Sequence, residues 1–357
     1  DWQIHISPDI SYAVWEHYRA TLDKEFMRSK GAEILFRVAQ FLFSRVHYSP
    51  ARKRYEIIRV LGPDEYHENV DNNAFTNYQA RFALKIATEL FRRLEREDPE
   101  HLAQLSSHLK LDAPRVAEWE EMAEKLYLPQ PDAESLLIEQ FDGYFNHEEI
   151  LPGPLAGRLQ KESEYWGWPN GIAFETQVIK QADVLQLFAL HPFGEDVIAA
   201  NYKYYEPRSQ HRSSLSPGVH ALVAAKTGNM RQADEYLRRS LKIDIADTHP
   251  PDSGGTFIGG IHTAACGIAW QIIVKGYLGM EVSADALRFQ PRLPEDWKKL
   301  ALSLTIRGVR IRLEARPDSL ILEAEASGAA GVPVLVGEDR RILNPASRIV
   351  FDGKYGQ

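Results

Sequence analysis

The sequence has a single cysteine, Cys266, among 357 residues, so it cannot carry an internal disulfide framework. It has no apolar run of about 18 residues, the length that a membrane-spanning helix needs. Acidic residues outnumber basic ones, 50 to 42, and the net charge of −8 argues against broad nucleic-acid binding, which requires a basic face. The start shows no signal-peptide pattern, so we expect a cytoplasmic protein. Cys266 lies in an apolar, glycine-rich run and is expected to be a small buried residue.

Apolar residues recur at helical spacing through most of the first 280 positions. We predict helices over residues 8–23, 24–47, 75–95, 98–109, 113–127, 175–190, 195–203, 217–227, 230–243 and 260–278. Prolines and glycines in segment 128–173 predict long connecting loops. Medium helices joined by short turns and interrupted by long polar loops indicate a mainly α protein, an α/α toroid with its function in loops at one rim.

The pattern changes after Gly279-Met280, because residues 287–325 alternate apolar and polar positions around turn signals at Gly308 and Pro317-Asp318. Alternation with period two and such turns predicts a small antiparallel β-sheet domain. We place the boundary near 285, with a helical domain over 1–285 and a C-terminal β-sheet domain over 286–357.

Residues 61–80 contain an acidic cluster directly after the turn signal Gly62-Pro63. Neighbouring carboxylates raise one another's pKa, and a carboxylic acid that stays protonated near neutral pH suits glycosidic bond cleavage. The alternative is an acidic turn that caps the following helix, with Asp71 or Asn72 near the N-cap. Asp64 in particular is equally well explained as a turn-forming residue. The cluster lacks a recognisable metal-ligand spacing, so no metal site is predicted.

Polar residues in later segments allow two interpretations each. Lys180 and Gln181 lie in a helix-like segment, where they either form an exposed polar face or, if buried, need partners. Ser213 and Ser214 precede Ser216-Pro217, which we expect to be the N-cap and first residue of a helix. Hydroxyls at a helix start are usually caps, although such a site also binds anions.

His262 follows two glycines that allow close backbone approach, at the start of an apolar helix. A lone histidine there is more often a core residue than a ligand. The aromatic loop 165–171 either lines a binding site or covers the core, and both interpretations stay open.

Four stretches together resemble glycoside hydrolase family 65, the inverting disaccharide phosphorylases and their hydrolase relatives. These are residues 62–67 with 71–77, 176–184, 211–217 and 259–270. Residues 292–297 are similar to the start of the family's C-terminal sheet. The resemblance implies an (α/α)6 toroid, of which this chain has a part, followed by a small C-terminal antiparallel β domain. It also implies an N-terminal β-sandwich and first barrel helices without counterpart here. We therefore expect a C-terminal half with a missing N-terminal half as partner; the family makes a homodimer plausible.

The resemblance also implies the roles of individual residues. Glu65 is the general acid, and its neighbours Asp64 and Glu68 help to keep it protonated. Lys180 and Gln181 bind sugar hydroxyls. The phosphate ligands are Ser213, Ser214 and His262. Inorganic phosphate is then a co-substrate, and neither a metal nor an organic cofactor is implied.

The family contains phosphorylases and hydrolases, and the two differ in the nucleophile. An inverting hydrolase needs a second carboxylate that activates water, and Asp252 is the residue here that could serve as that base. Phosphate is itself a nucleophile, and the two serines with His262 match the phosphorolytic members. We therefore favour phosphorolysis of an α-linked glucose disaccharide or glucoside to β-glucose 1-phosphate and an acceptor. The alternatives are an α-glucoside hydrolase, a non-catalytic sugar-binding half and a helical scaffold.

Overall fold

The computed structural model describes residues 2–245, 261–328 and 330–355, and its contacts divide the chain into two compact units. The N-terminal unit comprises Asp1–Tyr18, Leu22–Leu159 and Trp166–Ile179, and the C-terminal unit comprises Arg19–Thr21, Gln160–Tyr165 and Lys180–Gln357. Asp252 and the two glycines before His262 lie outside the described residues. The domain boundary near 285 stays a prediction.

The N-terminal unit is mainly helical. Its elements are α1 (Ile6–Thr21, whose last turn belongs to the other unit), α2 (Lys24–Phe26), a π-helical turn (Met27–Gly31), α3 (Ala32–Arg45), β1 (His47–Ser49), β2 (Arg54–Glu56), α4 (Ala74–Glu97), α5 (Pro99–Leu109), α6 (Ala113–Lys125), a 3₁₀ turn (Tyr144–Asn146) and α7 (Pro152–Ala156). Helix α4 contacts α3, α5 and α6, and the rings of Phe36, Phe91 and Trp119 meet in this core. Asp98 and Asp112 cap α5 and α6 by accepting backbone N–H groups three residues on.

The helices of the C-terminal unit surround one buried helix. They are α8 (Val184–Leu190), α9 (Glu195–Tyr205), a 3₁₀ turn (Glu206–Arg208), α10 (Ser216–Lys226), α11 (Met230–Lys242), α12 (Thr263–Gln271) and a π-helical segment (Ile272–Tyr277). Helix α10 is buried from Ser216 to Ala225 and contacts α8, α9, α11 and α12, as expected for a helix that is apolar on all sides. A Cβ at Gly218 would lie 2.3 Å from Ile268 Cγ2, so the glycine permits the close approach of α10 and α12.

The strands of the C-terminal unit form two four-stranded sheets. They are β3 (Glu281–Val282), β4 (Leu287–Phe289), β5 (Leu300–Ile306), β6 (Val309–Arg316), β7 (Ser319–Ala324), β8 (Val332–Val336), β9 (Asp339–Leu343) and β10 (Arg348–Asp352). The sheet β10-β7-β6-β5 is antiparallel throughout, with tight turns at Arg307-Gly308 and at Pro317-Asp318 as predicted. The sheet β3-β4-β8-β9 includes one parallel pair, β4 with β8.

The structure contradicts the predictions for the helix over 175–190 and for Cys266. The helix expected over 175–190 begins only at Val184, because the preceding residues bond elsewhere: Thr176 forms an isolated bridge with Glu148, and the Gln177 side-chain amide donates to the carbonyls of Phe145 and His147. Cys266 is exposed rather than buried. It lies four residues before Trp270, which is 51 % exposed, so the apolar run places one face of α12 at the surface of the described chain.

Candidate active site

Residues 61–69 form a closed loop, which we call the acidic loop. Its two ends are joined because Val60 and Val70 exchange backbone hydrogen bonds of 2.9 and 3.0 Å. Within it the residues after Gly62-Pro63 are not helical, as the turn signal predicts. Glu65 is half-buried and lies between the buried residues Asp64 and Tyr66. The loop therefore leaves Glu65 partly exposed between two buried neighbours.

Asp64 is the main anchor of the acidic loop and is only 1 % exposed. Its Oδ1 accepts the backbone N–H of Tyr66 at 3.2 Å, which closes a local turn. Its Oδ2 lies 2.6 Å from His67 Nδ1 and accepts the Gln140 side-chain amide at 3.1 Å. Asp64 is therefore a turn-forming residue, one of the two roles left open by the sequence, and also the partner of a buried histidine.

His67 completes this buried pair. Its Nε2 lies 2.8 Å from the carbonyl oxygen of Thr176, which only accepts, so Nε2 carries a proton. One proton must then lie between Nδ1 and Asp64 Oδ2, as imidazolium with carboxylate or as imidazole with carboxylic acid. The rings of Phe141 and Tyr144 pack around the imidazole at centroid distances of 5.2 and 5.9 Å. This enclosure keeps water from replacing the hydrogen bonds that shape the acidic loop.

Aromatic residues support the acidic loop from the segment that follows Tyr165. The ring of Tyr66 stacks on Trp166 with a centroid distance of 6.4 Å, and the Tyr66 carbonyl accepts the backbone N–H of Trp168 at 3.0 Å. A Cβ at Gly171 would lie 2.1 Å from the Trp166 carbonyl carbon, so this turn requires glycine. Trp166 is buried and thus belongs to the core, whereas Trp168 is half-buried.

The crowding of carboxylates is visible at Glu68. Burial raises the pKa of its carboxyl above the ordinary value, and the charge of Glu65 raises it further. The two acids therefore interact unfavourably when both are ionised. The predicted effect of one carboxylate on the pKa of another is therefore seen at Glu68.

The polar residues after the acidic loop have structural roles. Asn73 is the N-cap of α4, and its Oδ1 accepts the Thr76 backbone N–H at 2.9 Å. The cap is thus one residue later than Asn72. Asn72 instead accepts the Ile57 N–H at 3.2 Å and donates to Asp142 at 2.8 Å. These bonds fix the direction in which the chain leaves the acidic loop.

Lys180 and Gln181 lie in the C-terminal unit, before α8 and outside regular secondary structure. Lys180 is 2 % exposed, so the interpretation as an exposed polar face is wrong for this residue. Its carbonyl oxygen accepts the Arg212 backbone N–H at 3.2 Å. That bond places the Lys180-Gln181 segment beside the segment that contains the two serines.

Ser213 and Ser214 are half-buried and precede α10. Ser213 Oγ accepts the backbone N–H of Leu215 at 3.3 Å. Ser216 is not the N-cap, contrary to the prediction, since Leu215 already has a helical conformation and occupies that position. The Ser216 hydroxyl lies 3.0 Å from His211 Nδ1 instead.

His262 is at the N-cap position of α12 and is paired with Asp244. Its Nδ1 lies 2.6 Å from Asp244 Oδ1, and its backbone N–H donates to Oδ2 at 2.9 Å. These hydrogen bonds from His262 hold the pKa of the Asp244 carboxyl below its ordinary value. The imidazole is thus neither a core residue nor unconstrained. No spacing in the sequence indicated Asp244 as its partner.

The predicted site residues are divided between the units: Glu65 is in the N-terminal unit and the other five are in the C-terminal unit. Their functional roles stay predictions. Within the described ranges, no group of three or more His, Cys, Asp or Glu side chains is arranged to hold a metal ion. Among the helices of those ranges, none is long and apolar enough to cross a membrane.

Comparisons with known proteins give matches over nearly the whole chain. Residues 1–271 match the family model of the glycosyl hydrolase family 65 central catalytic domain, and residues 280–342 match the C-terminal domain of that family. The chain is 43% identical over 347 residues to a 1,2-alpha-glucosylglycerol phosphorylase of Bacillus selenitireducens, covering 96% of this chain and 45% of that protein. It is 39% identical over 317 residues to a kojibiose phosphorylase of Caldanaerobacter subterraneus, covering 86% of this chain and 39% of that protein.

A solved structure of a candidate kojibiose phosphorylase from the human microbiome has a TM-score of 0.82 at 25% identity, over 97% of this chain and 44% of that one. The likeness confirms the predicted fold class, a mainly α chain that forms part of an α/α toroid and ends in a small β-sheet domain. The chain spans less than half the length of these relatives.

Proposed function

Because the chain belongs to glycosyl hydrolase family 65, we propose that it carries the acid and the phosphate site of an inverting α-glucoside phosphorylase. Inorganic phosphate attacks the anomeric carbon from the face opposite the glycosidic oxygen. A bond forms between that carbon and a phosphate oxygen while the glycosidic bond breaks, and Glu65 donates its proton to the leaving oxygen. The products are β-glucose 1-phosphate and an acceptor with a free hydroxyl. The names of the relatives, which are phosphorylases, support phosphate as the nucleophile.

The observation that carries the proposal is the anchoring of Glu65 by the Asp64–His67 pair. A general acid acts only when its proton is within hydrogen-bond reach of the leaving oxygen, so its backbone must be held firmly. Asp64 fixes the peptide before Glu65 and accepts the N–H of Tyr66 after it. The one half-buried side chain of this Asp64-Glu65-Tyr66 run is therefore presented from a rigid support.

The phosphate ligands in this proposal are Ser213, Ser214 and His262. Asp244 orients the His262 ring through Nδ1, which leaves Nε2 as the ring nitrogen for a phosphate oxygen. Serine hydroxyls before a helix of eleven residues add donors next to the positive end of the helix dipole. Lys180 and Gln181 bind sugar hydroxyls. The reaction needs no metal and no organic cofactor, since phosphate supplies the nucleophile.

The relatives are more than twice as long as the region they share with this chain. We therefore propose that turnover requires a further portion of the enzyme that corresponds to the N-terminal part of those relatives. Assays should compare the 357-residue chain alone with the chain supplied with that portion, either in one polypeptide or by mixing.

The test is product analysis with α-linked glucose disaccharides and glucosylglycerol, each with and without inorganic phosphate. β-Glucose 1-phosphate that appears only with phosphate supports the phosphorylase. Free glucose released equally without phosphate would make it a hydrolase, and Asp252→Asn would then test the base. Sugar binding without turnover in the complete assembly would leave a non-catalytic sugar-binding role.

A further inference from the structure

A chain of four buried or half-buried side chains lies at the start of α10; we call it the His211 clasp. It consists of Glu206, Tyr236, His211 and Ser216. The Tyr236 hydroxyl donates to Glu206 Oε1 at 2.6 Å and lies 2.9 Å from His211 Nε2. The other ring nitrogen, Nδ1, lies 3.0 Å from Ser216 Oγ. The clasp thus connects α11, the 3₁₀ turn after α9 and the first residue of α10.

The direction of each hydrogen bond in the clasp is determined. Because Tyr236 donates its only proton to Glu206, its oxygen must accept from His211 Nε2–H. Burial, together with the nearby His220 and Arg239, lowers the pKa of His211 to about 2, so the ring is neutral. A neutral ring protonated on Nε2 accepts at Nδ1, so the Ser216 hydroxyl donates to it. Each side chain of the clasp therefore donates a hydrogen bond to the next, from Ser216 through His211 and Tyr236 to Glu206.

A second histidine holds Ser216 from its other side. His220 Nδ1–H donates to the Ser216 carbonyl at 2.8 Å, and the two imidazole rings are 4.4 Å apart in an edge-to-face arrangement. Burial also lowers the pKa of His220, to about 4. Both rings stay neutral at the pH of ordinary metabolism, so the pattern of donors does not change there.

The clasp encloses the segment of the two serines. His211 has φ of +56°, a left-handed conformation that is unusual for a residue other than glycine and needs support from its surroundings. Five residues later, Ser216 is bonded to the same side chain, so the four residues from Arg212 to Leu215 are closed into a small loop. Inside that loop the Arg212 N–H donates to the Lys180 carbonyl, and Ser213 accepts from Leu215.

We infer that His211, Tyr236 and Glu206 are positioning residues that hold Ser213 and Ser214 in their phosphate-binding conformation. The inference rests on the proposed function, because it assumes that the two hydroxyls bind phosphate. None of the three positioning residues needs to touch phosphate. They act by fixing both ends of the segment that does.

The decisive variant is Tyr236→Phe, which removes one hydroxyl from the clasp and keeps the ring. We expect the KM for phosphate to rise about tenfold, the effect of one hydrogen bond of ordinary strength, while the KM for the glucoside stays unchanged. The matched control is Tyr202→Phe. Tyr202 is also buried, and its hydroxyl has no hydrogen-bond partner in the part of the chain that the structure describes. That control should leave both KM values unchanged.

Two further variants separate positioning from general stability. Glu206→Gln keeps an acceptor for the Tyr236 hydroxyl and should retain a nearly normal KM for phosphate. His211→Leu removes both bonds of the ring and should raise the KM for phosphate at least as much as Tyr236→Phe. An unchanged KM for phosphate in Tyr236→Phe, or an equal rise in both KM values, would overturn the inference.

The proposed function is tested separately by Ser213→Ala and Ser214→Ala. If neither changes the KM for phosphate, the phosphate site itself is misassigned. If both raise it and Tyr236→Phe does not, the phosphate site stands and the inference about the clasp fails. Calorimetric titration of each folded variant with inorganic phosphate gives the same comparison without turnover.

Discussion

The acidic loop and the His211 clasp each hold a segment with candidate site residues in place, but they use different side-chain interactions. In the acidic loop, the buried His67 Nδ1 shares a proton with Asp64 Oδ2 at 2.6 Å, and this pair can exist as an imidazolium and a carboxylate. In the clasp, the half-buried His211 stays neutral and is joined to the Glu206 carboxylate only through Tyr236. A buried pair that can carry charge is costly to break, whereas the hydrogen bonds between the neutral side chains of the clasp are individually weaker.

The largest expected effect comes from the acid itself. Glu65→Gln keeps the size and hydrogen bonding of the side chain but removes its proton donor, so kcat for phosphorolysis should fall by about 10²–10⁴-fold. The measurement is steady-state kinetics of the complete assembly. Glu89→Gln, an exposed acid on α4, is the matched control and should keep full activity. Equal activity in both variants would remove Glu65 from the mechanism.

Loss of the buried pair should be the largest effect on stability. His67→Leu leaves Asp64 without its imidazole partner in a site that is 1 % exposed, and we expect unfolding free energy to fall by about 3–5 kcal/mol. Chemical denaturation measures this change. Tyr236→Phe in the clasp should cost only about 0.5–1.5 kcal/mol by the same measurement. Similar losses in the two variants would contradict the expectation that the buried Asp64–His67 pair is more costly to break than the clasp.

The aromatic support of the acidic loop depends on one glycine. Gly171→Ala would place a Cβ 2.1 Å from the backbone of Trp166, so we expect a loss of about 1–3 kcal/mol from the shift that this clash forces. Gly153→Ala is the control, because nothing lies within 4 Å of a Cβ there. The midpoint of thermal unfolding distinguishes the two. An unchanged midpoint in Gly171→Ala would show that the turn behind Tyr66 adapts without cost.

The smallest effect is a difference in pH dependence. The pKa of Glu68 is raised in the folded chain, so the folded state binds more protons than the unfolded state between the ordinary value of 4.5 and the raised one. Stability contributed by this group is present at lower pH and decreases as pH rises through that window. Glu68→Gln should remove that decrease and make the chain slightly more stable at neutral pH than the wild type.

The check is the pH dependence of chemical denaturation for wild type and Glu68→Gln. A decrease of the same size in both would assign it to another group. The clasp should show no corresponding change at pH 5–8, because burial keeps the pKa of His211 at about 2.

Much of the helical architecture could be predicted from local patterns, because the spacing of apolar residues reflects which face of a helix is buried. The turns at Gly308 and Pro317-Asp318 were predictable for a similar reason, since these residues restrict the backbone directly. The segment before Val184 was not. Its apolar residues have helical spacing, but the Gln177 side chain donates to the distant carbonyls of Phe145 and His147, and the Thr176 hydroxyl donates to the nearby Ala173 carbonyl, so another conformation is held.

The candidate site also depends on contacts that local sequence patterns do not predict. Asp64 and His67 are three residues apart and both belong to the predicted cluster, yet the partners that bury them, Gln140 and Thr176, are far away in the sequence. Asp244 and His262 are separated by a stretch without any pairing signal. The pattern indicated which residue types carry the chemistry, but only the folded chain brings each together with its partner.

By itself, the sequence determined the mainly α class, the C-terminal antiparallel hairpins and the family to which the chain belongs. These follow from periodicity, turn residues and motifs, all of which act over a few neighbouring positions. Tertiary structure alone decided that Lys180 is buried, that Cys266 is exposed and that His67 bonds to the carbonyl of Thr176. Burial and hydrogen-bond partners depend on which distant segments pack together, and no local pattern of residues contains that information.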